Sequence, residues 1–333
     1  MAVVREAISD MPRRRDLLIE YLHCLQDREG QIGADRIVAL AEELKLAPTE
    51  VYEVATFYHH FDVVRESDES VPDVTVRVCD SVTCEMFGAN ELVSEVSSAL
   101  GDTLRVQRVP CVGRCDQAPV AVVGRRPVPQ ANLADIEALL ATGQHASMPL
   151  VDWVSFDDYQ EAGGYTLYQQ CLQEQVAPEN ILSALESSGL RGLGGAGFPA
   201  GRKWRILQEQ SAPRLLAVNI DEGEPGTFKD RVYLERDPHR FLEGTLIAAH
   251  VVGIDTCYLY VRDEYPGVLE ILRSAIEEIQ AAFGNSMPRL ELRRGAGAYI
   301  CGEESAMIES IEGKRGMPRL RPPYVAEVGL FGR

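Results

Sequence analysis

The chain has 333 residues, 45% of them hydrophobic and 25% charged, and a formal net charge of −18. That is globular composition, and the length suits about two domains of ordinary size. The acidic balance argues against nucleic acid and anionic membrane as partners, because both favour a basic face. No apolar run approaches the about 18 residues of a membrane span, and the start, Met-Ala-Val-Val-Arg-Glu-Ala, shows no apolar signal core. The expectation is a cytoplasmic protein without direct membrane insertion.

Residues 12–64 read as helices. Leu17, Leu18, Tyr21, Leu22 and Leu25 fall on one helical stripe, and Pro48 opens a third helix carrying Val51, Val54, Ala55 and Tyr58. The polar stretch Arg65–Asp73 breaks the pattern, so residues 1–70 are expected as a helical cap. Val74–Val78 alternates as a strand ending at Cys79, Ala89–Leu100 is helical, Leu104–Val109 and Pro119–Val123 are strands, and Ala131–Leu140 is a helix. This order predicts a thioredoxin-like α/β domain over 71–145. A linker is expected over 146–180. Beyond it, over 181–333, helices at Glu179–Ser188, Pro238–Val252 and Gly267–Phe283 alternate with strands at Leu215–Ile220, Cys257–Val261 and Leu290–Arg293. A further helix is expected near 302–312. Such alternation predicts an α/β domain with a largely parallel sheet.

The chain holds eight cysteines. Without a secretory signal, disulfides are disfavoured and metal or redox chemistry is favoured for any cluster. Cys79-x4-Cys84 and Cys111-x3-Cys115 each lie at the end of a predicted strand. Four thiolates on adjacent loops suit an iron–sulfur cluster, and a structural zinc is the alternative. Neither gap is the two-residue spacing that zinc ribbons favour. Asp116 and Glu85, beside two of the cysteines, are expected to be solvated. Acidic surroundings do not help a tetrathiolate, so backbone N–H···S bonds would have to stabilise it.

The helical cap, Ala55-Thr-Phe-Tyr58, Cys-x4-Cys and Cys-Val-Gly-Arg-Cys closely resemble the small [2Fe–2S] flavoprotein-fragment subunit of bacterial complex I. The resemblance covers about residues 10–142 and implies a [2Fe–2S] cluster held by Cys79, Cys84, Cys111 and Cys115.

Arg191–Trp204 contains five glycines in fourteen residues, with a lysine and two arginines. Backbone N–H groups in such a loop, beside a cation, favour phosphate. Gly192-x-Gly194-x-x-Gly197 fits the dinucleotide pattern, but that fingerprint needs a strand before it, and Glu179–Ser188 reads as a helix. Three further segments are rich in polar groups or glycine: Asn219–Asp230, Gly295–Glu304 and Arg319–Tyr324. Each has an ordinary reading; Glu303 and Glu304, for instance, would favour a helix N-terminus.

In order and wording these segments resemble the FMN- and NADH-binding subunit of complex I. They also resemble the diaphorase subunits of NAD-reducing hydrogenases and of NAD-dependent molybdenum or tungsten formate dehydrogenases. The resemblance runs from about 185 to 333. It implies that Gly192, Gly194, Gly195 and Lys203 line the FMN phosphate and ribityl chain. Asn219, Asp221 and Glu222 would hold the flavin from the strand end, and Tyr299, Gly302 and Glu303 would approach its other side. Phe198, Glu224, Glu304 and Tyr324 would shape the NAD(H) site. Glu224 and Glu304 are expected to orient the nicotinamide during hydride transfer, and Lys203 to compensate charge. Ile206 stands where the family often has an aromatic, and Gly223 where many members have Ser. The family continues past the equivalent of Arg333 with a segment completing the flavin pocket and a domain carrying a [4Fe–4S] cluster. Both halves in one chain resemble most closely the β subunit of soluble NAD-dependent formate dehydrogenase, which implies other subunits of such a complex as partners. Hydrogenase diaphorases and a fused complex I subunit come next. A non-catalytic iron–sulfur electron-transfer or assembly module and a Rossmann dehydrogenase without flavin remain as rivals.

Overall fold

The computed structural model describes residues 2–65, 71–101, 103–144, 148 and 150–333. The break expected at Arg65–Asp73 and the boundary expected near 145 therefore fall partly outside the described residues.

The cap comprises helices α1 (Leu18–Glu29), α2 (Ala34–Leu44) and α3 (Pro48–Phe57). Proline at the first turn suits α3, because its missing N–H would have no helical partner there. The cap's apolar face does not close on the domain that follows it. Leu18, Leu22, Leu25, Leu40, Val51 and Val54 share one core with Tyr258, Tyr260, Met307, Ile308 and Ile311, some two hundred and fifty residues onward. Arg293 is sealed into this seam at 2% exposure, bonded to Asp16, Glu20 and Glu291.

The next domain has a four-stranded sheet of β1 (Thr75–Cys79), β2 (Arg105–Val109), β3 (Ala121–Val123) and β4 (Arg126–Val128), in the order β2-β1-β3-β4. Between β1 and β2 runs α4 (Ala89–Leu100), and α5 (Leu133–Thr142) follows β4. The first pair is parallel and the others antiparallel. This is the expected thioredoxin-like arrangement with one strand more than the sequence suggested. β4 is three residues long with Pro127 at its centre, and proline is a poor strand signal.

The stretch expected as a linker carries two short helices, α6 (Phe156–Glu161) and α7 (Thr166–Leu172). Tyr159, Tyr165 and Tyr168 are buried with Leu242, Leu246 and Leu269, so this segment is part of the C-terminal core. Helices of six and seven residues, parted by Gly163 and Gly164, are too short to show a clear period.

The C-terminal domain then runs α8 (Pro178–Ser188), α9 (Ala200–Gln208), β5 (Arg214–Ile220), α10 (Lys229–Arg236), α11 (Pro238–Val252), β6 (Ile254–Val261), α12 (Pro266–Phe283), β7 (Arg289–Arg294) and α13 (Glu304–Ile311). Its sheet, β5-β6-β7, is wholly parallel. Ile220 pairs with Val261 and Val261 with Arg294, so three loops leave the carboxyl ends of the strands side by side. In open parallel sheets that edge is where ligands bind. α13 begins at Glu304, preceded by a 3-10 turn, Tyr299–Gly302.

Candidate functional site

Parallel pairing puts Cys79 opposite Val109, so the loops after β1 and β2 are neighbours. Cys84 lies in a short helix, Val82–Met86, on the first loop; Cys111 and Cys115 lie on the second. Cys111 and Cys115 have Sγ atoms 3.4 Å apart, and the Cys79 thiol faces both Cys111 and Cys84. The four cysteines thus form one group. Crowding perturbs them. At Cys79 the Cys111 contact pulls down, but the Cys84 contact and burial prevail and push the thiol up to about 11. Contact with Cys79, then burial, pushes Cys111 up. Contact with Cys79 lowers Cys84. A thiol group of this kind surrenders its protons to a bound cationic centre. Two backbone N–H groups already point at sulfur: Gly113 to Cys111 at 3.4 Å and Gly226 to Cys115 at 3.2 Å.

The second of these comes from the C-terminal domain. Around it the cysteine loop is fastened to that domain by buried cations. Arg231, 3% exposed, donates Nε to the Gly113 carbonyl at 3.0 Å, Nη2 to Asp116 at 2.5 Å and Nη1 to Glu235 at 3.0 Å. Asp116, expected to be solvated, is therefore a partner in the seam. Arg262 donates Nη2 to the Cys111 carbonyl at 2.6 Å and Nη1 to the Glu222 carbonyl. Gly113 has φ +69, and a Cβ there would sit 2.2 Å from the Tyr265 hydroxyl, so only glycine fits beneath that ring. Sequence reasoning passed over Arg231, Arg262 and Tyr265. Each is a single residue in an ordinary helix or loop, with no local pattern to mark it.

The strand-end loops pack on one another. Asn219 Nδ2 donates to the Gly302 carbonyl at 2.8 Å, and its Oδ1 accepts from the Asp221 N–H at 3.0 Å. Tyr299 donates its hydroxyl to Glu224, and Gly223 lies under the Tyr299 ring. Burial, reinforced by Glu264 and opposed by Arg262, pushes the Asp221 carboxyl up to about 7. Glu222 faces inward at 7% exposure; its carboxylate accepts from the N–H groups of Asp230 and Arg231 and from the Tyr265 hydroxyl. Glu303 caps α13, accepting from the N–H groups of Ser305 and Ala306 at 2.9 and 3.0 Å. Glu303 thus has the ordinary role of a helix N-terminal acid, and Glu222 is committed to the start of α10. Glu304 is exposed and shares Arg321 with Glu303. Arg321, in the Arg319–Tyr324 segment that the sequence marked out, joins the C-terminal segment to this group. Tyr324 on the same segment is 58% exposed.

The glycine stretch stands apart. It follows α8, not a strand, which removes the context the dinucleotide fingerprint requires. Gly192 N–H bonds to the Phe198 carbonyl at 3.0 Å and Arg191 to the Gly197 carbonyl at 2.9 Å, folding the stretch into its own loop. Gly195 has φ +93, and its vicinity is open. Phe198 is 44% exposed with Arg202 over its ring. Lys203, in the first turn of α9, is exposed and has no ion-pair partner among the described residues. A cavity of about 450 Å³ is lined by Asp221, Gly223 and Tyr299 and by Cys111.

These residues fit the groups that the sequence suggested. Four gathered thiols with N–H···S bonds are the donor set of an iron–sulfur cluster. An open glycine loop beside an unpaired lysine at a helix start suits a phosphate.

Comparison with known proteins agrees. Residues 4–144 match the family described as thioredoxin-like [2Fe-2S] ferredoxin, and residues 185–331 the Nuo51 FMN-binding domain. The two matches follow one another along the chain, a thioredoxin-like [2Fe–2S] match and then a Nuo51 FMN-binding match. It is 33% identical to the NAD-reducing hydrogenase HoxS subunit alpha of Cupriavidus necator, over 96% of this chain and 59% of that protein. It is 47% identical to the mitochondrial NADH-ubiquinone oxidoreductase 51 kDa subunit of Neurospora crassa, over 46% of this chain and 34% of that one. A crystal structure of NAD+-reducing [NiFe]-hydrogenase in the H2-reduced state superposes with a TM-score of 0.81 and 34% identity, covering 96% of this chain and 58% of that chain. The chain spans about half the length of the curated relatives it matches. Among the described residues no helix is long and apolar enough to cross a membrane.

Proposed function

We propose that this chain is a diaphorase module exchanging electrons between NAD(H) and iron–sulfur centres through FMN. The observation that carries the reading is the bond from Gly226, on the loop expected to hold flavin, to Cys115, expected to hold the cluster. FMN bound here would supply the conversion between two-electron hydride chemistry and one-electron chemistry. The protein's part is to place and tune these groups. Backbone N–H groups at Gly192, Gly194 and Gly195, with Lys203, bind the phosphate. Asn219 and Asp221 present polar atoms from the strand end, supported by Gly302 and Tyr299. Glu222 and Glu303 hold the starts of α10 and α13 in place. Phe198, Glu224, Glu304 and Tyr324, all exposed, receive and orient the nicotinamide nucleotide. Cys79, Cys84, Cys111 and Cys115 bind the [2Fe–2S] cluster.

An absorption titration tests this reading: FMN is added to the purified chain, then NADH. Flavin bands that bleach with NADH support it. Iron–sulfur bands without flavin uptake favour an electron-transfer or assembly module.

We further propose formate as the distal substrate, oxidised by a partner subunit, on the strength of the fusion of the two domains. Hydrogen is the second reading, because a relative at 33% identity is named as a hydrogenase subunit. Mass spectrometry of co-purifying subunits decides: a molybdenum or tungsten subunit supports formate, and a nickel–iron subunit overturns it.

A further inference from the structure

Three donor groups from separate segments meet where the cap packs on the C-terminal sheet. His23 lies on α1, His60 in the loop after α3, and Asp263 just beyond β6. Each offers one donor atom, and these lie within 4.8 Å of one another.

His23 is 4% exposed. Its Nε2 lies 2.9 Å from the Gly295 carbonyl oxygen. A carbonyl can only accept, so Nε2 carries the ring proton and Nδ1 is a lone pair. Nδ1 is buried and has no hydrogen-bond partner among the described residues. A lone pair sealed away from water without a donor is costly. An imidazole that gives one N–H to a backbone carbonyl and keeps its other nitrogen bare is oriented as metal-ligating histidines are.

The neighbours complete the set. His60 Nδ1 lies 2.7 Å from Asp263 Oδ2. The other Asp263 oxygen accepts from Arg294 Nε at 2.6 Å, and Arg294 Nη1 bonds Asp27 at 2.5 Å. Asp263 therefore keeps its Oδ2 for His60 while its Oδ1 is held by Arg294. His60, Asp263, Asp27 and Arg294 also line the cavity of about 450 Å³, which provides an entry path.

We propose that His23, His60 and Asp263 form a binding site for a divalent ion of the zinc class, separate from the four-cysteine site. Two imidazoles and a carboxylate suit zinc, and a water would complete a tetrahedral set. Coordination through His60 Nδ1 moves that ring's proton to Nε2, so the neutral imidazole binds the ion with no bond left unaccounted for and no change in oxidation state. The site ties the cap to the sheet. It also steadies the glycine run leading to Tyr299 and Glu303, because the His60 N–H bonds the Ala296 carbonyl at 3.1 Å and His23 bonds Gly295.

The full chain, with its cluster in place, is equilibrated with zinc, and zinc and iron per chain are measured beside the visible spectrum. One zinc per chain is expected beyond the iron. Affinity should fall at least tenfold in His23→Gln and Asp263→Asn, with iron content and spectrum unchanged. Absence of zinc uptake, or uptake unchanged in both variants, overturns the proposal. Should the variants fail to fold, zinc-edge anomalous diffraction from wild-type crystals decides: a peak between the three residues supports the site, and a water at His23 Nδ1 without a peak overturns it.

Discussion

The Gly226 N–H donates to Cys115 Sγ across 3.2 Å, so the loop after β5 touches a candidate cluster ligand directly. The two residues belong to different domains. Hydrogen bonds to cluster sulfurs are among the factors that set reduction potential. Any movement of the loop after β5 is therefore felt at Cys115, and the residues that hold the two domains together govern that bond.

Gly113 is the first of these. Gly113→Ala places a methyl group against Tyr265 and forces a side chain into φ +69. Overpacking of this kind costs about 1–3 kcal/mol. Urea unfolding should show that loss, and in a double-mutant cycle Gly113→Ala should cost less in a Tyr265→Ala background than in the wild type.

Arg231 is the second. Arg231→Met leaves Asp116 without its buried cation and Glu235 with Arg114 alone, 3.4 Å away. Breaking a buried ion pair from one side costs about 3–5 kcal/mol. Thermal melting should shift down sharply. Asp116→Asn, at the more exposed end, should have a much smaller effect.

Lys203→Met tests the phosphate site. A charge-assisted hydrogen bond is worth about 1.5–3 kcal/mol, so FMN should bind roughly tenfold or more weakly. The cluster spectrum should not change. Fluorescence titration of FMN measures the first, and visible absorption the second.

Asp221 predicts a pH dependence. Burial raises its carboxyl from the ordinary 3.8 to about 7. The fold favours the protonated form, so its stabilisation is complete below about 3.8 and is lost as pH rises through about 7. Measured without flavin, the wild type should lose stability relative to Asp221→Asn across that window. A pH-independent difference between the two would contradict the assignment.

The chemistry was more legible in the sequence than its assembly. Cys79, Cys84, Cys111 and Cys115 announce themselves by spacing, and Gly192–Gly197 by composition. Alternating β and α segments identified a parallel sheet, whose strand ends gather Asn219, Asp221 and Tyr299. Other features left no local trace. The cap's apolar stripe looks the same whether it covers the adjacent domain or Tyr258 and Met307 far along the chain. Tyr159, Tyr165 and Tyr168 sit in helices too short to display a period. Arg231 and Arg262 gain their roles only through partners more than a hundred positions away. Glu303 and Glu222 read as ligand groups, yet their carboxylates are occupied by backbone N–H groups of the fold itself.

Electrons from NADH should reach the four-cysteine cluster by way of FMN. Low-temperature EPR of the anaerobic chain, mixed with NADH with and without FMN, tests this directly. A reduced [2Fe–2S] signal is expected to develop with FMN present and to be absent without it. A cluster that dithionite reduces, but that NADH leaves EPR-silent when FMN is bound, would contradict the proposed route.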